Sequence, residues 1–509
     1  MNRPIAYLGV DVGTSSTKAV IYGAGGQLLS QAHRSYPLDT PNPFTAEVDP
    51  PKIFHALMET IQEAVEKAGD VELRFLSFSA AMHSVIAVDE HGDLLTKCIT
   101  WADTRSQKAA AEIRSAHGGL YRKTGTPIHA MSPLTKILWL KQDQPDLFDK
   151  TAKFIDLKSY LLHRLFGVWL IDESLASATG LFNPLTRDWE EQALEIVGIT
   201  RDQLPHIVPV THSLTGMDLR LAEAMGIPVG TCVIVGGSDG ALSNIGLGAA
   251  RKGTLAVTIG TSGAVRTITN QPVLDPLGRT FCYAISPHQF LVGGPVNNGG
   301  LVLGWLIDVF GDSDTSYEQL VELARPVPPG ADGLLFHPYL TGERAPLWNA
   351  SARGSYFGLS IHHTKAHLIR AALEGVLFNL HEVLLTVELL TGKTNHIQAS
   401  GGFSRSPIWR QMLADIVGVP VNFPKQIESG CLGAVLLGRY AMGELQELGE
   451  SDWPEAEVYR HEPDAAAAKV YRELMTIYLG AGRLLQEGYA EIDEFQRRHA
   501  TDQDDAIDG

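Results

Sequence analysis

The chain opens on an apolar run, Ile5-Ala6-Tyr7-Leu8-Gly9-Val10, which gives way to the polar stretch Asp11-Val12-Gly13-Thr14-Ser15-Ser16-Thr17-Lys18 and resumes at Ala19-Val20-Ile21. Two apolar runs about a short glycine-containing polar stretch predict a β-hairpin with a hydroxyl-rich tip. Asp49-Pro50 then starts a helix, with the aspartate as cap and the proline in its first turn. Its apolar positions Ile53, Leu57, Ile61 and Val65 recur at helical spacing until Gly69 closes it. Strands are predicted over 75–79 and 85–88, the second ending in the turn Asp89-Glu90-His91-Gly92, and a further buried strand over 229–237. The segment 364–392 carries Leu368, Ala372, Val376, Leu380, Val383, Val387 and Leu390, the pattern of a long buried helix.

After the small-residue bridge Gly246-Leu247-Gly248-Ala249-Ala250-Arg251-Lys252-Gly253, the opening pattern returns as Leu255-Ala256-Val257-Thr258-Ile259-Gly260-Thr261-Ser262-Gly263-Ala264-Val265. A repeated hairpin half a chain later predicts a duplicated α/β domain, two copies flanking a central cleft. The expected division is a first domain over 1–248, a second over 249–490 and an acidic, flexible tail over 491–509. Each turn has the parts of a phosphate clamp. Gly13 and Gly260 let backbone approach an anion, Thr14, Ser15 and Thr261 supply hydroxyls, and Lys18 supplies charge. Asp11 is the candidate ligand of a hydrated Mg²⁺; its counterpart in the second copy is Thr258, so one metal and one nucleotide are expected.

The formal net charge of −17 argues against nucleic acid or an anionic membrane as partner, since those attract clustered Lys and Arg. An anionic nucleotide must therefore find a local positive site. Cys98, Cys232, Cys282 and Cys431 lie far apart without metal-ligand spacing and read as reduced core thiols. Neither a signal peptide nor a membrane-length apolar stretch is evident, so a cytoplasmic protein is expected.

Together the hairpins and two longer motifs resemble the FGGY family of carbohydrate kinases, within the wider actin-like (ribonuclease H-like) ATPase superfamily. Met131-Ser132-Pro133-Leu134-Thr135-Lys136-Ile137-Leu138-Trp139-Leu140 looks like the family's first signature. Gly342-Glu343-Arg344-Ala345-Pro346, with Arg353-Gly354 and Phe357-Gly358-Leu359, looks like its second. The resemblance implies two actin-like domains, ATP and Mg²⁺ as cofactors, and a small sugar as acceptor. It also implies a catalytic base at Asp239, in Gly236-Gly237-Ser238-Asp239-Gly240-Ala241 after a strand. It places the nucleoside against Gly401 and Gly402, with Ser406 where the family often has Asn. Asn297-Asn298-Gly299-Gly300 reads either as a contributor to the cleft or as a plain turn before a helix.

His83, Trp101, Asp103, Arg105, His129 and Met131 fall in the family's sugar-contacting segments. Residues 81–89, 98–106 and 124–133 are most similar to the family members that phosphorylate gluconate at its terminal hydroxyl, giving 6-phosphogluconate. His83, Arg105 or His129 is then expected to meet the carboxylate. Glycerol is disfavoured, because His83-Ser84 and Met131 stand where glycerol-specific members carry Arg-Glu and Tyr. Xylulose or another ketose or polyol is the alternative, as xylulose-specific members share a Met-His pair like Met82-His83. A non-catalytic nucleotide switch or a degenerate sugar-binding regulator would lack the signatures or would have lost Asp11, Thr261 or Asp239, and all three are present. A homodimer is also considered.

Overall fold

The computed structural model describes residues 3–504 apart from 252, 312–314, 426–427 and 455. Strands β1 (Ile5–Val12) and β2 (Ser16–Gly23) form the first hairpin, with Asp11 opposite Lys18 and Val12 opposite Thr17. β3 (Leu28–Ser35) continues the antiparallel edge. Helix α1 (Pro50–Ala68) follows and buries Ile53, Leu57 and Ile61 against the sheet; Gly69, at φ +73°, ends it as the pattern predicts. β4 (Glu72–Ala80) pairs parallel to β1. Beyond the helix α2 (Pro133–Asp143), β5 (Cys232–Ser238) pairs parallel to β4 and runs into α3 (Asp239–Gly246). This strand starts three residues later than the apolar run predicts, because Val229 is 43% exposed and Gly230 and Thr231 lie in a turn.

The second copy repeats this order. β6 (Thr254–Ile259) pairs antiparallel with β7 (Gly263–Thr269) and parallel with β8 (His396–Ser400), which pairs parallel with Val421–Pro424. Its core helix α4 (Lys365–Thr391) is buried on nearly every side between Ile369 and Val387 and stops at Gly392, φ +94°. α5 (Pro407–Val417) covers the same core.

Two compact units result: residues 1–252 with 268–291 and 426–456, and residues 253–267, 292–425 and 457–509. This division differs from a single cut at 248/249 in the placement of two segments. The helix Ser429–Ala441 lies on β1 and β4 because its contact positions lack side chains. A Cβ on Gly433 would stand 1.9 Å from the Leu242 carbonyl oxygen, one on Gly438 would enter the Phe75 ring, and Gly9 of β1 faces the Cys431 carbonyl as closely. The segment 268–291 docks through Cys282 N to Gly125 O (2.8 Å) and Ala284 N to Ser177 Oγ (2.9 Å).

The predicted flexible tail needs correction too. The last helix, α6 (Ala465–Asp504), runs through 491–504. Asp493 on it is buried, accepts from Ser351 Oγ (2.7 Å) and pairs with Arg353. Residues 505–509, and Lys252 of the bridge, lie outside the described residues.

Candidate active site

In the first unit the hairpin tip is fixed from below. Gly13 N donates to Ser16 O (2.9 Å), Tyr36 OH to Gly13 O (2.6 Å), and Tyr36 N to Ser15 O (3.0 Å). Trp101, expected at the sugar, donates Nε1–H to Thr14 Oγ1 (3.1 Å) and so ties its segment to the phosphate turn. Lys18 Nζ lies 2.6 Å from Glu428 Oε2, so its charge is shared with a carboxylate absent from the sequence reading.

Asp11 keeps some exposed surface, yet protein atoms crowd its carboxyl. That burial raises its pKa to about 6, Asp239 and Glu428 adding to the rise while the Ser79 hydrogen bond (2.6 Å) and Lys18 oppose it. Three carboxylates thus share one electrostatic neighbourhood. Among the described residues no three acidic, His or Cys side chains converge as a metal cage, whereas Mg²⁺ that keeps its waters needs only one or two carboxylates. The Asp11 carboxylate fits that requirement.

Asp239 opens α3 directly after β5, and its Oδ1 accepts from Gly240 N (2.7 Å). The strand end beneath it is locked. Gly236 has φ +77° and would place a Cβ 1.7 Å from the Phe78 carbonyl oxygen, while Ser238 N donates to Ser174 Oγ (2.7 Å). A buried Lys158–Asp172 pair (2.6 Å) flanks the same turn.

The segments expected at the sugar differ in how deeply their side chains are buried. His83 sits at φ +67°, with Nδ1 donating to Ala178 O (2.8 Å) and its ring edge-on to Tyr283 (5.9 Å), a neighbour no local pattern points to. His129 Nδ1 accepts from Met131 N (3.1 Å), which leaves the ring proton on Nε2. Asp103 and Met131, expected as sugar contacts, are 1% and 0% exposed. Asp103 is spent on Ala46 N (3.0 Å) and on Arg105, whose Nε and Nη2 reach it at 3.0 and 2.7 Å. Arg105 also pairs with Glu47 and lies over Trp139, 4.6 Å from the ring centroid. Its guanidinium therefore has two carboxylates already.

In the second unit Gly260 and Thr261 are exposed at the hairpin tip, where Gly260 N donates to Ser262 O (2.8 Å). The Asn297–Gly300 stretch buttresses that tip: Gly300 N donates to Gly260 O (2.7 Å) and Gly299 N to Thr261 O (3.2 Å). Glu343 of the second signature anchors the buttress. Fully buried, it accepts from Asn297 N (2.5 Å), Asn298 Nδ2 (3.0 Å), Asn379 Nδ2 (2.7 Å) and Arg344 N (2.8 Å). Gly401, at φ +111°, would drive a Cβ to 2.2 Å from Ile259 O, whereas Gly402 faces open space. Ser406 caps α5, its Oγ accepting from Trp409 N (3.3 Å).

Duplicated sheets, each with a glycine-hydroxyl turn after its first strand, and one carboxylate at the head of a helix define a two-domain phosphotransferase. The chain belongs to the FGGY family of carbohydrate kinases, whose N-terminal domain matches residues 6–246 and C-terminal domain residues 255–442. It is 47% identical to a gluconokinase of Bacillus subtilis over 96% of this chain and 98% of that protein. A solved gluconate kinase from Lactobacillus acidophilus matches at 37% identity and a TM-score of 0.92, covering 96% of this chain and all of that one. A ligand-bound structure described as xylulose kinase from the same organism matches with the same values. Family members transfer phosphate from ATP to a carbohydrate, and this chain is such an enzyme. Among the described residues no helix is long and apolar enough to cross a membrane.

Proposed function

We propose that the enzyme phosphorylates D-gluconate at its terminal hydroxyl, giving 6-phosphogluconate and ADP. The observation that carries this reading is the near full-length similarity to a gluconokinase. Asp239 takes the hydroxyl proton as the sugar oxygen attacks the γ-phosphorus and the bond to the ADP oxygen breaks. The turn N–H groups and hydroxyls at Gly13, Thr14, Ser15, Gly260 and Thr261 hold phosphate oxygens, and Gly401 and Gly402 give the nucleoside a side-chain-free surface. Lys18 contributes to the phosphate field jointly with Glu428. Asp11 is the residue that would hold Mg²⁺, and the ion would there supply charge neutralisation for the transferred phosphoryl group. His83, Trp101 and His129 are the sugar-facing side chains, supported by Asp103, Arg105 and Met131. The cytoplasm is the proposed location: the four cysteines are free thiols and ATP is the phosphoryl donor.

Initial rates of ADP formation with gluconate and with xylulose test the substrate. We expect kcat/KM to favour gluconate by at least ~10²-fold, since polar groups arranged for one acceptor are left unpaired by another. The reverse order would support the xylulose reading, which the second Lactobacillus structure favours, and would leave the kinase intact.

The raised Asp11 pKa predicts a pH-dependent metal requirement. Protonation competes with Mg²⁺ below about pH 6 and is relieved above it. The Mg²⁺ concentration for half-activation should therefore fall about tenfold between pH 5 and pH 7 in wild type, and Asp11→Asn should flatten that dependence. A wild-type requirement that is constant across this range would exclude Asp11 from the metal's shell.

A further inference from the structure

Lys136, on the first full turn of α2, is 0% exposed. Its ammonium donates to three main-chain carbonyls: His83 O at 2.6 Å, Thr100 O at 2.7 Å and Met131 O at 2.8 Å. An ammonium has three donors, so its capacity is filled. The nearest anionic residue, Asp103, is turned toward Arg105 instead. The three carbonyls come from separate stretches, and each stretch carries a residue assigned to the sugar: His83 itself, Trp101 beside Thr100, and His129 beside Met131. His83 is also held in left-handed backbone geometry, φ +67°, which needs a surrounding constraint. A buried ammonium is costly to desolvate, and an apolar side chain would fill a helix turn at lower cost.

We propose that Lys136 is a positioning residue for the acceptor: it pins the His83, Trp101 and His129 segments into one geometry and so sets sugar affinity, without contacting nucleotide or the transferred phosphoryl group. The proposal rests on the assignment of those segments to the sugar.

The same geometry predicts a response to alkaline pH. Burial lowers the Lys136 pKa to about 7, Asp103 and Cys98 opposing the fall and Arg105 adding to it. The charged and titratable groups that act on it are Asp103, Arg105 and Cys98, with Glu47 paired to Arg105. Burial pushes the Cys98 thiol up to about 12, out of the window. Loss of one proton leaves two donors for three carbonyls, so one segment is released as pH rises from 7 to 9.

The test measures KM for gluconate and for Mg-ATP in wild type and in Lys136→Met, with circular dichroism as the check on folding. In the folded variant we expect gluconate KM to rise at least ~10-fold while kcat and the Mg-ATP KM stay within about threefold. A folded variant with unchanged gluconate KM, or with both KM values raised together, overturns the proposal. Should the variant not fold, Lys136→Gln, whose amide keeps two of the three donors, is measured instead: a gluconate KM raised at least ~3-fold with an unchanged Mg-ATP KM supports Lys136, and an unchanged gluconate KM in that folded variant overturns it. Parallel assays with xylulose separate the two readings. If wild type accepts xylulose and not gluconate, the substrate reading fails, and the same measurements on xylulose then decide the role of Lys136.

Discussion

Asp239→Asn is expected to lower kcat by at least ~10²-fold while leaving the fold and the Mg-ATP KM close to wild type. The substitution keeps the shape and an oxygen able to accept from Gly240 N, now at 2.7 Å, so the α3 terminus has no reason to move. What disappears is the ability to take a proton from the sugar hydroxyl. One further consequence distinguishes loss of a base from general damage. The Asp239 charge helps hold the Asp11 pKa near 6, so its removal should shift the pH dependence of Mg²⁺ activation to lower pH. A folded Asp239→Asn enzyme with kcat within about tenfold of wild type would remove Asp239 from the chemistry.

The features legible in the sequence are those written locally. Each hairpin lies within about twenty residues, where two apolar runs and a glycine-hydroxyl turn suffice. Asp239 stands out because a strand, two glycines and a helix start are contiguous around it. The helix Ser429–Ala441 was not assignable to the first unit for the opposite reason. Its partners on β1 and β4 are more than 300 residues away, and the only trace is Gly430, Gly433 and Gly438, whose meaning depends on what presses against them.

Polar partners were harder still. Lys136 stands in the sequence only as one residue of the first signature, and nothing local announces the three carbonyl acceptors that make it core. Ser406, expected at the nucleoside, also caps the helix behind it, a role its place before Pro407 only hints at. For Asp493 composition misled: an acidic, charge-rich end resembles a solvated tail, while a buried pairing with Arg353 holds it in a helix.

Arg105 shows how the hydrogen-bond inventory favours one of two readings of a residue. In a chain of net charge −17, Arg105 in a sugar-contacting segment reads either as the cation for a sugar acid or as the partner of Asp103 two residues before it. Its guanidinium is closed by Asp103 and by Glu47, 58 residues earlier, with side-chain exposures of 23%, 1% and 18% for the three. Arg105→Ala strands the Asp103 carboxylate in the interior with only the Ala46 and Arg105 main-chain N–H groups, and it also removes the stacking on Trp139. Breaking a largely buried pair from one side costs about 2–4 kcal/mol, and the cost falls on the scaffold shared by every acceptor. We therefore expect a lower denaturation midpoint for the first unit and KM increases for gluconate and xylulose that agree within about threefold. An increase confined to gluconate, with stability unchanged, would instead mean that the guanidinium leaves its two carboxylates to bind the sugar acid.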